Sequence, residues 1–342
     1  MIVVRPVEDR DLEGLLALAA STGTGLTTLP HDADALKYKI EQSNLAFDSM
    51  TPLDGKHAYL FVLEDCENGV IAGTSAIVAG VGLDRPFYSY RLLHLTQVST
   101  EPQMRTDMEL LQLSNDYVGA TEVATLFLSE AYRRDQLGKL LSKARYLFMA
   151  AHLDRFSDKV ISEIRGWVDE KGNSPFWEAI GRHFFGMDFK TADEINGMGN
   201  SQFIADLMPK FPIYTALLSR EARDVIGTPH ESATPAIRLL EKEGFRFSGA
   251  VDIFDAGPAL EAHKRGIYTV RKSERRSFAG AIEGSVSKAD HLVSNESLKD
   301  FRVVLSNVAD TDSGLWLPEE SAVALRIKRD DVAFVAPLHI EE

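Results

Sequence analysis

Between Thr121 and Leu141 the sequence passes from strand to helix within a few residues, and that step constrains the fold more than any other. Glu122 to Leu128 is an apolar run ending in Leu126-Phe127-Leu128. It gives way to Tyr132-Arg133-Arg134-Asp135-Gln136-Leu137-Gly138-Lys139, and over Arg133 to His152 the residues Leu137, Leu140, Leu141, Ala144, Leu147 and Phe148 recur at helical spacing. A strand feeding directly into an amphipathic helix demands layered α and β structure. Backbone N–H groups at such a helix start, with the helix dipole and adjacent arginines, form an anion site suited to a pyrophosphate. The competing reading is an ordinary helix N-terminus with solvated arginines.

The surrounding segments extend the layered pattern. Ile2 to Arg5 reads as a strand, followed by a helix opened by Glu8 and Asp9 and stopped in Thr22-Gly23-Thr24-Gly25. A second helix is expected from about Asp32 to Phe47. His57 to Leu63 and Val70 to Val78 flank Asn68-Gly69, a strong hairpin signal. Val160 to Ile164 is the next strand, after which Ser174 to Phe184, Asn200 to Met208 and Arg220 to Ile226 read as helices. Thr234, Pro235 and Gly244 punctuate a further helix as cap, first residue and stop. Beyond Gly249, strand-like pieces at Val251 to Phe254, Phe301 to Leu305, Ala322 to Ile327 and Val332 to Val335 are separated by polar stretches, with Arg271 to Asp290 read as an exposed excursion. The expected class is α+β: a mixed sheet flanked by helices, elaborated by a helical stretch and followed by a small β subdomain. The expected domains are 1–248 and 249–342.

Charge narrows the function. Asp and Glu number 51 against 37 Lys and Arg, a net charge of −14 over 342 residues. An acidic surface repels phosphate backbones and anionic lipid, so neither nucleic acid nor a membrane surface is an expected partner. Cys66 is the single cysteine, and it sits among acids in a hairpin turn, which argues against a disulfide, a CxxC site or a nucleophile. The remaining histidines lack metal-ligand spacing, so no metal is expected. With no secretory leader and no apolar run near 20 residues, a cytoplasmic location is expected.

The order of helix, Asn-Gly hairpin, strand, basic turn, helix and strand resembles that of GNAT acyltransferases, whose Arg-x-x-Gly-x-Gly loop holds the coenzyme A pyrophosphate. Arg133 and Gly138 match that loop, with Arg134 beside them, while Gln136 stands at the usual first glycine. The GNAT helix signature of the Tyr-Glu-Lys-x-Gly-Phe type has two counterparts, Trp177 to Gly181 and Leu240 to Phe245, so either a long helical insertion or a second related module is present. In both, the tyrosine that protonates the departing thiolate is replaced, by Trp177 or Leu240. Another acid is needed, and His230, in Gly227-Thr228-Pro229-His230-Glu231 just ahead of the Thr234 helix, is the candidate. A positive helix end lowers its pKa and favours the neutral ring.

Several longer words sharpen the resemblance. Thr24 to Pro30, Val81 to Tyr88, Leu113 to Asp116, Ser174 to Trp177, Phe203 to Lys210 and Val251 to Pro258 look like the arginine N-succinyltransferase family, from the first strand to Asp330-Asp331-Val332. The resemblance implies transfer of succinyl from succinyl-CoA to the α-amino group of L-arginine, with His230 as proton donor and Leu126 contacting succinyl-CoA. Pro229 replaces the usual valine before that histidine. Ornithine as acceptor, another acyl donor, or a silent subunit of a hetero-oligomer are the alternatives carried forward. Asp116 and Glu122 are the acids placed nearest the coenzyme strand to hold a guanidinium, with solvent exposure as the competing reading.

Overall fold

The computed structural model describes residues 1–22, 28–49, 57–197, 202–282, 289–311 and 314–339. Strand β1 (Ile2–Pro6) leads to helices α1 (Leu12–Ser21) and α2 (Ala33–Asp48), then to the hairpin of β2 (Ala58–Asp65) and β3 (Val70–Val78). The hairpin turns at Asn68-Gly69 as expected, with Gly69 at φ 73°, a conformation that costs glycine nothing. A long hairpin, β4 (Ser89–Ser99) and β5 (Met104–Ser114), precedes β6 (Thr121–Leu128). Helix α3 (Leu137–Ala151) then crosses to β7 (Lys159–Glu163), which lies parallel to β6.

A helical stretch follows: α4 (Pro175–Ala179), α5 (Gly181–Phe185), α6 (Phe189–Gly197) and α7 (Gln202–Leu207), the short β8 (Ile213–Tyr214), and α8 (Arg220–Asp224). Helix α9 (Thr234–Glu243) returns the chain to the sheet through β9 (Arg246–Asp252) and β10 (Pro258–His263). The remainder is α10 (Tyr268–Lys272), β11 (Glu274–Ile282), β12 (His291–Asn295), β13 (Val303–Ser306), β14 (Ala309–Thr311), β15 (Gly314–Pro318), α11 (Glu319–Leu325) and β16 (Val332–Pro337). The strands pair in the order β14-β15-β11-β16-β12-β13-β1-β2-β3-β6-β7-β10-β9-β4-β5-β8. The C-terminal strands join the rest where β13 meets β1, with Val303 opposite Val4. The class is α+β, and the order from β1 to β7 is the one anticipated.

The periodic positions of α3 form the main core. Leu140, Leu141, Ala144, Leu147 and Phe148 are all 0% exposed, and each large one contributes about 1.5–3 kcal/mol on burial. Phe148 meets Phe47, Phe61, Phe156 and Phe301 edge-on, tying α3 to α2, β2 and the C-terminal segment. The helical stretch has its own core, where Trp177 stacks on Phe185 and Phe254. Trp177 is therefore a packing residue.

Some expectations are corrected. Ala322 to Ile327 is not a strand, since Ala322 to Leu325 forms the end of α11: Pro318 precedes two acids, Glu319 and Glu320, in the first turn, and Arg326 ends the helix at φ 56°. The Arg271 to Asp290 segment contains β11, which pairs with β16 and β15 and buries Phe278 and Ala279, so pairing overrides its charged composition. Ser174 to Phe184 breaks at Ile180, whose φ −127° and ψ −72° leave the helical region, and the next residue, Gly181, lies so close to the Trp177 ring that any Cβ would collide with it. The expected boundary at 248/249 falls inside β9. The Gly23 to Gly25 part of the first helix stop and the Asn200 start of a later helix lie outside the described residues, as does 283–288 of the expected excursion.

Candidate active site

Strands β6 and β7 are paired only at their first residues, Thr121 with Val160 and Glu122 with Ile161. On its other edge β6 follows β3 to Leu128, with a register shift between Thr74 and Ala76. At that shift Thr125 takes φ 54°, a left-handed conformation costing a non-glycine residue about 1–2 kcal/mol. Such an irregularity bends the strand and re-aims it. Past Glu122 the pairing of the two strands ends, and the Val123 carbonyl accepts from the Ser162 hydroxyl of β7 at 3.0 Å. The end of the pairing leaves a wedge beside residues 123–128. Leu126, half-buried, packs its side chain on the main core and leaves that edge of the backbone open to an extended ligand.

The wedge runs toward the start of α3. Asp135 and Gln136 both have positive φ, 51° and 64°, so Gln136 adopts the left-handed turn that a glycine at this place would serve. Among the described residues the amides of Asp135, Gln136 and Gly138 form no hydrogen bond, while Leu137, Lys139 and Leu140 donate to the carbonyls of Arg134 and Gln136. Arg133 anchors through Nε to the Leu128 carbonyl at 3.1 Å and lies over Phe127. Arg134 is exposed and beside Asp135, so it is the least committed to the turn. Burial and the nearby charges of Lys242 and Lys143 push the Lys139 ammonium below its usual range. Lys242 is a cation the sequence reading passed over, because it belongs to α9 and reaches this site only through the fold.

His230 is placed by backbone. Pro229 bridges to Gly166, and the His230 amide donates to the Arg165 carbonyl at 2.9 Å, so the histidine sits just past the end of β7. Its Nδ1 accepts from the Ser232 amide at 3.2 Å and lies 2.7 Å from the Ser232 hydroxyl, making His230 the cap of the one-turn 3-10 segment that runs into α9. His230 thus caps the 3-10 turn, while Thr234, expected as the cap of the following helix, is already the first residue of α9, whose N-cap is Ala233. Since a backbone amide can only donate, Nδ1 of the neutral ring is an acceptor and the proton resides on Nε2. Burial, then the Arg165 charge, lower the imidazole pKa, with Glu231 opposing.

Carboxylates collect on the other side of Arg165. Burial and nearby acids raise Glu163 and Asp255 well above the carboxylate range. Burial chiefly raises Asp252 and lifts Glu122 and Asp193 to about 7. Asp255 is fastened by the amides of Gly166 and Gly257 at 2.7 and 2.8 Å. Asp116, in contrast, is engaged by Arg91 at 2.6 Å and by Ser114, leaving Glu122 as the member of the expected acid pair that faces this group. Glu163, Arg165, Asp193, Asp252 and Asp255 were not singled out from sequence. Asp252 and Asp255 lie in the word Val251 to Pro258, but only strand register brings them to Glu163. The words Val81 to Tyr88 and Leu113 to Asp116 also converge, lining one surface hollow through Gly82 to Tyr88 and Asn115.

Comparison with known proteins matches this layout along its whole length. A family model described as arginine N-succinyltransferase beta subunit matches residues 2–269, and that of its C-terminal domain matches 276–337. The chain is 44% identical over 345 residues to an arginine N-succinyltransferase of Escherichia coli (strain 55989 / EAEC), covering 100% of this chain and 99% of that one. A Shigella flexneri protein of the same name is similar at 44%, with the same coverage. Among solved structures, arginine/ornithine succinyltransferase subunit AI from Pseudomonas aeruginosa superposes with a TM-score of 0.90 at 33% identity, covering 99% of each chain.

Proposed function

The chain belongs to the arginine N-succinyltransferase family, and from that premise we propose that it transfers the succinyl group of succinyl-CoA to the α-amino group of L-arginine. The observation that carries the acyl-CoA part is the open edge of β6, unpaired with β7 past Glu122 and running into the unbonded amides at the start of α3. The pantetheine arm adds to that edge near Leu126, and the pyrophosphate rests on the α3 turn among Arg133, Gly138 and Lys139, with Arg134 at the rim. A main-chain N–H near Leu126 faces the thioester oxygen as the carbon becomes tetrahedral, stabilising the developing charge.

The incoming α-amine must reach the thioester carbon unprotonated. As the C–S bond breaks, the thiolate needs a proton, and His230 presents Nε2 for it. The Nδ1 cap from Ser232 holds the ring in that orientation. Ornithine is supported as a second acceptor by the name of the Pseudomonas structure. The acyl transfer needs no metal, and the single exposed Cys66 suits the cytoplasm, where thiols stay reduced. No helix among the described residues is long and apolar enough to cross a membrane.

The test is thiol release by the purified chain, with succinyl-CoA or acetyl-CoA against L-arginine or L-ornithine. Arginine-dependent release from succinyl-CoA, well above that from acetyl-CoA, is expected. Preference for acetyl-CoA would refute the donor assignment.

A further inference from the structure

One face of the sheet carries an unusual row of acids. Pairing places Glu122 of β6 level with Ile161 of β7, and Ile161 level with Glu261 of β10. Two residues along β7, Glu163 is level with Ala259, which faces Ala250 of β9. Two residues along β9, Asp252 stands opposite Ser89 of β4. Residues two apart on a strand, and residues directly opposite on neighbouring strands, share a face. Glu122, Glu163, Glu261, Asp252 and Ser89 therefore point to one side.

Three orphaned groups on that face point to a ligand, Oε2 of Glu261 being one of them. Oε1 of Glu163 is buried without a hydrogen-bond partner. The hydroxyl of Ser89, on a residue 1% exposed and directly across from Asp252, is likewise unpartnered. Buried polar atoms are nearly always satisfied, so three on one face call for a donor from outside the chain. Countercharge is short as well. Lys39 acts on Glu122, and Arg165 is shared by Asp255 and Asp193. Among the described residues none of Glu122, Glu163, Asp193 or Asp252 has an ion pair within 4.0 Å. No three of the described His, Cys, Asp or Glu side chains group closely enough to hold a metal ion, so the cation that fits is broader, with several donors. A guanidinium is planar and carries five N–H donors.

We infer that Glu163 and Asp252, with Ser89 and Glu122 at the margin, bind the guanidinium of the acceptor and set its preference over neutral side chains. The inference rests on the acceptor reading given above. Location agrees with it: Arg165, two residues beyond Glu163, holds the His230 amide through its carbonyl and acts on the imidazole through its charge. The acceptor thus spans from the acid row toward His230. Asp252 keeps its place through Oδ1, which accepts from the amides of Phe254 and Asp255 at 2.7 and 2.9 Å. The unliganded like charges raise one another's protonation, which a bound cation would relieve.

Glu163→Gln and Asp252→Asn test this, since both keep shape and an acceptor oxygen. KM for L-arginine should rise by about 10- to 100-fold, the range for losing a charged hydrogen bond, with KM for succinyl-CoA unchanged. Preference for L-arginine over its neutral isostere L-citrulline should collapse, and the unliganded variants should melt no lower than the wild type. Unchanged arginine KM and unchanged discrimination would overturn the assignment, as would a joint rise of both KM values with a lower melting temperature. If the wild type shows no arginine-dependent turnover, the acceptor reading fails, and calorimetric titration of L-arginine judges the acid row separately. Binding to wild type that is lost in Glu163→Gln supports the row; equal binding, or none to either, overturns it.

Discussion

The ring of His230 caps a turn through one nitrogen and, in the proposed reaction, donates a proton from the other. Nδ1 caps the segment leading into α9, and that bond leaves the proton on Nε2. His230→Ala should lower turnover by about 10²- to 10⁴-fold and also cost about 1 kcal/mol for the lost cap. His230→Asn separates the effects, because asparagine is a good cap and a poor proton donor. Its melting temperature should stay near wild type while turnover falls as far as in the alanine variant, and a variant that retains turnover would remove His230 from the chemistry. The histidine was legible in the sequence as a residue ahead of a helix. Its anchorage to Arg165 was not, since that bond joins residues 65 apart in the chain. Gln136 shows the reverse: it departs from the expected glycine, yet takes the left-handed conformation regardless.

At the scale of elements, the strand, turn and helix from Thr121 to Ala151 could be read directly, because the period changes from strand to helix and each periodic leucine is buried. The β4–β5 hairpin could not: much of β4 is exposed, so it lacks the alternation a half-buried strand shows. Helix α11 was mistaken because Ala322, Val323 and Leu325 are short and apolar in either structure, and only the Pro-Glu-Glu before them marks a helix start. Helices α3, α9 and α10 are locked together by a buried pair. Lys143 of α3 lies 2.9 Å from Glu243 of α9, which also accepts from the amide and hydroxyl of Thr269 in α10. Glu243→Ala would strand a buried ammonium, and chemical unfolding should show a loss of about 3–5 kcal/mol. A loss below about 1 kcal/mol would mean that water reaches Lys143 readily.

For the whole molecule, the excess of 14 negative charges is partly organised. Acids gather on the face of β6, β7 and β9, while Lys139, Lys143 and Lys242 gather at the start of α3 and act on one another. In the proposed reaction an acidic field would help a cationic acceptor approach, and the anionic coenzyme would have to be captured against it by cations such as Lys139 and Lys242. The acid face leaves a mark on stability. Glu122 and Asp193, lifted to about 7, hold more protons in the folded chain than unfolded carboxylates near 4 do. Stability should therefore fall as pH rises from about 4 to about 7, the window between the unfolded and folded values of these two groups. The fall measured by urea unfolding should be shallower in Glu122→Gln, and an identical slope would show that Glu122 titrates normally.

The central claim is acyl transfer from succinyl-CoA to the α-nitrogen of arginine at the wedge between β6 and β7. Its most direct measurement follows L-arginine labelled with ¹⁵N at the α-amine by NMR while free thiol is counted in the same tube. The account predicts one thiol released for each α-amine converted to an amide, with the guanidinium signals unchanged. No arginine-dependent thiol release, or acylation on the guanidinium, would contradict it.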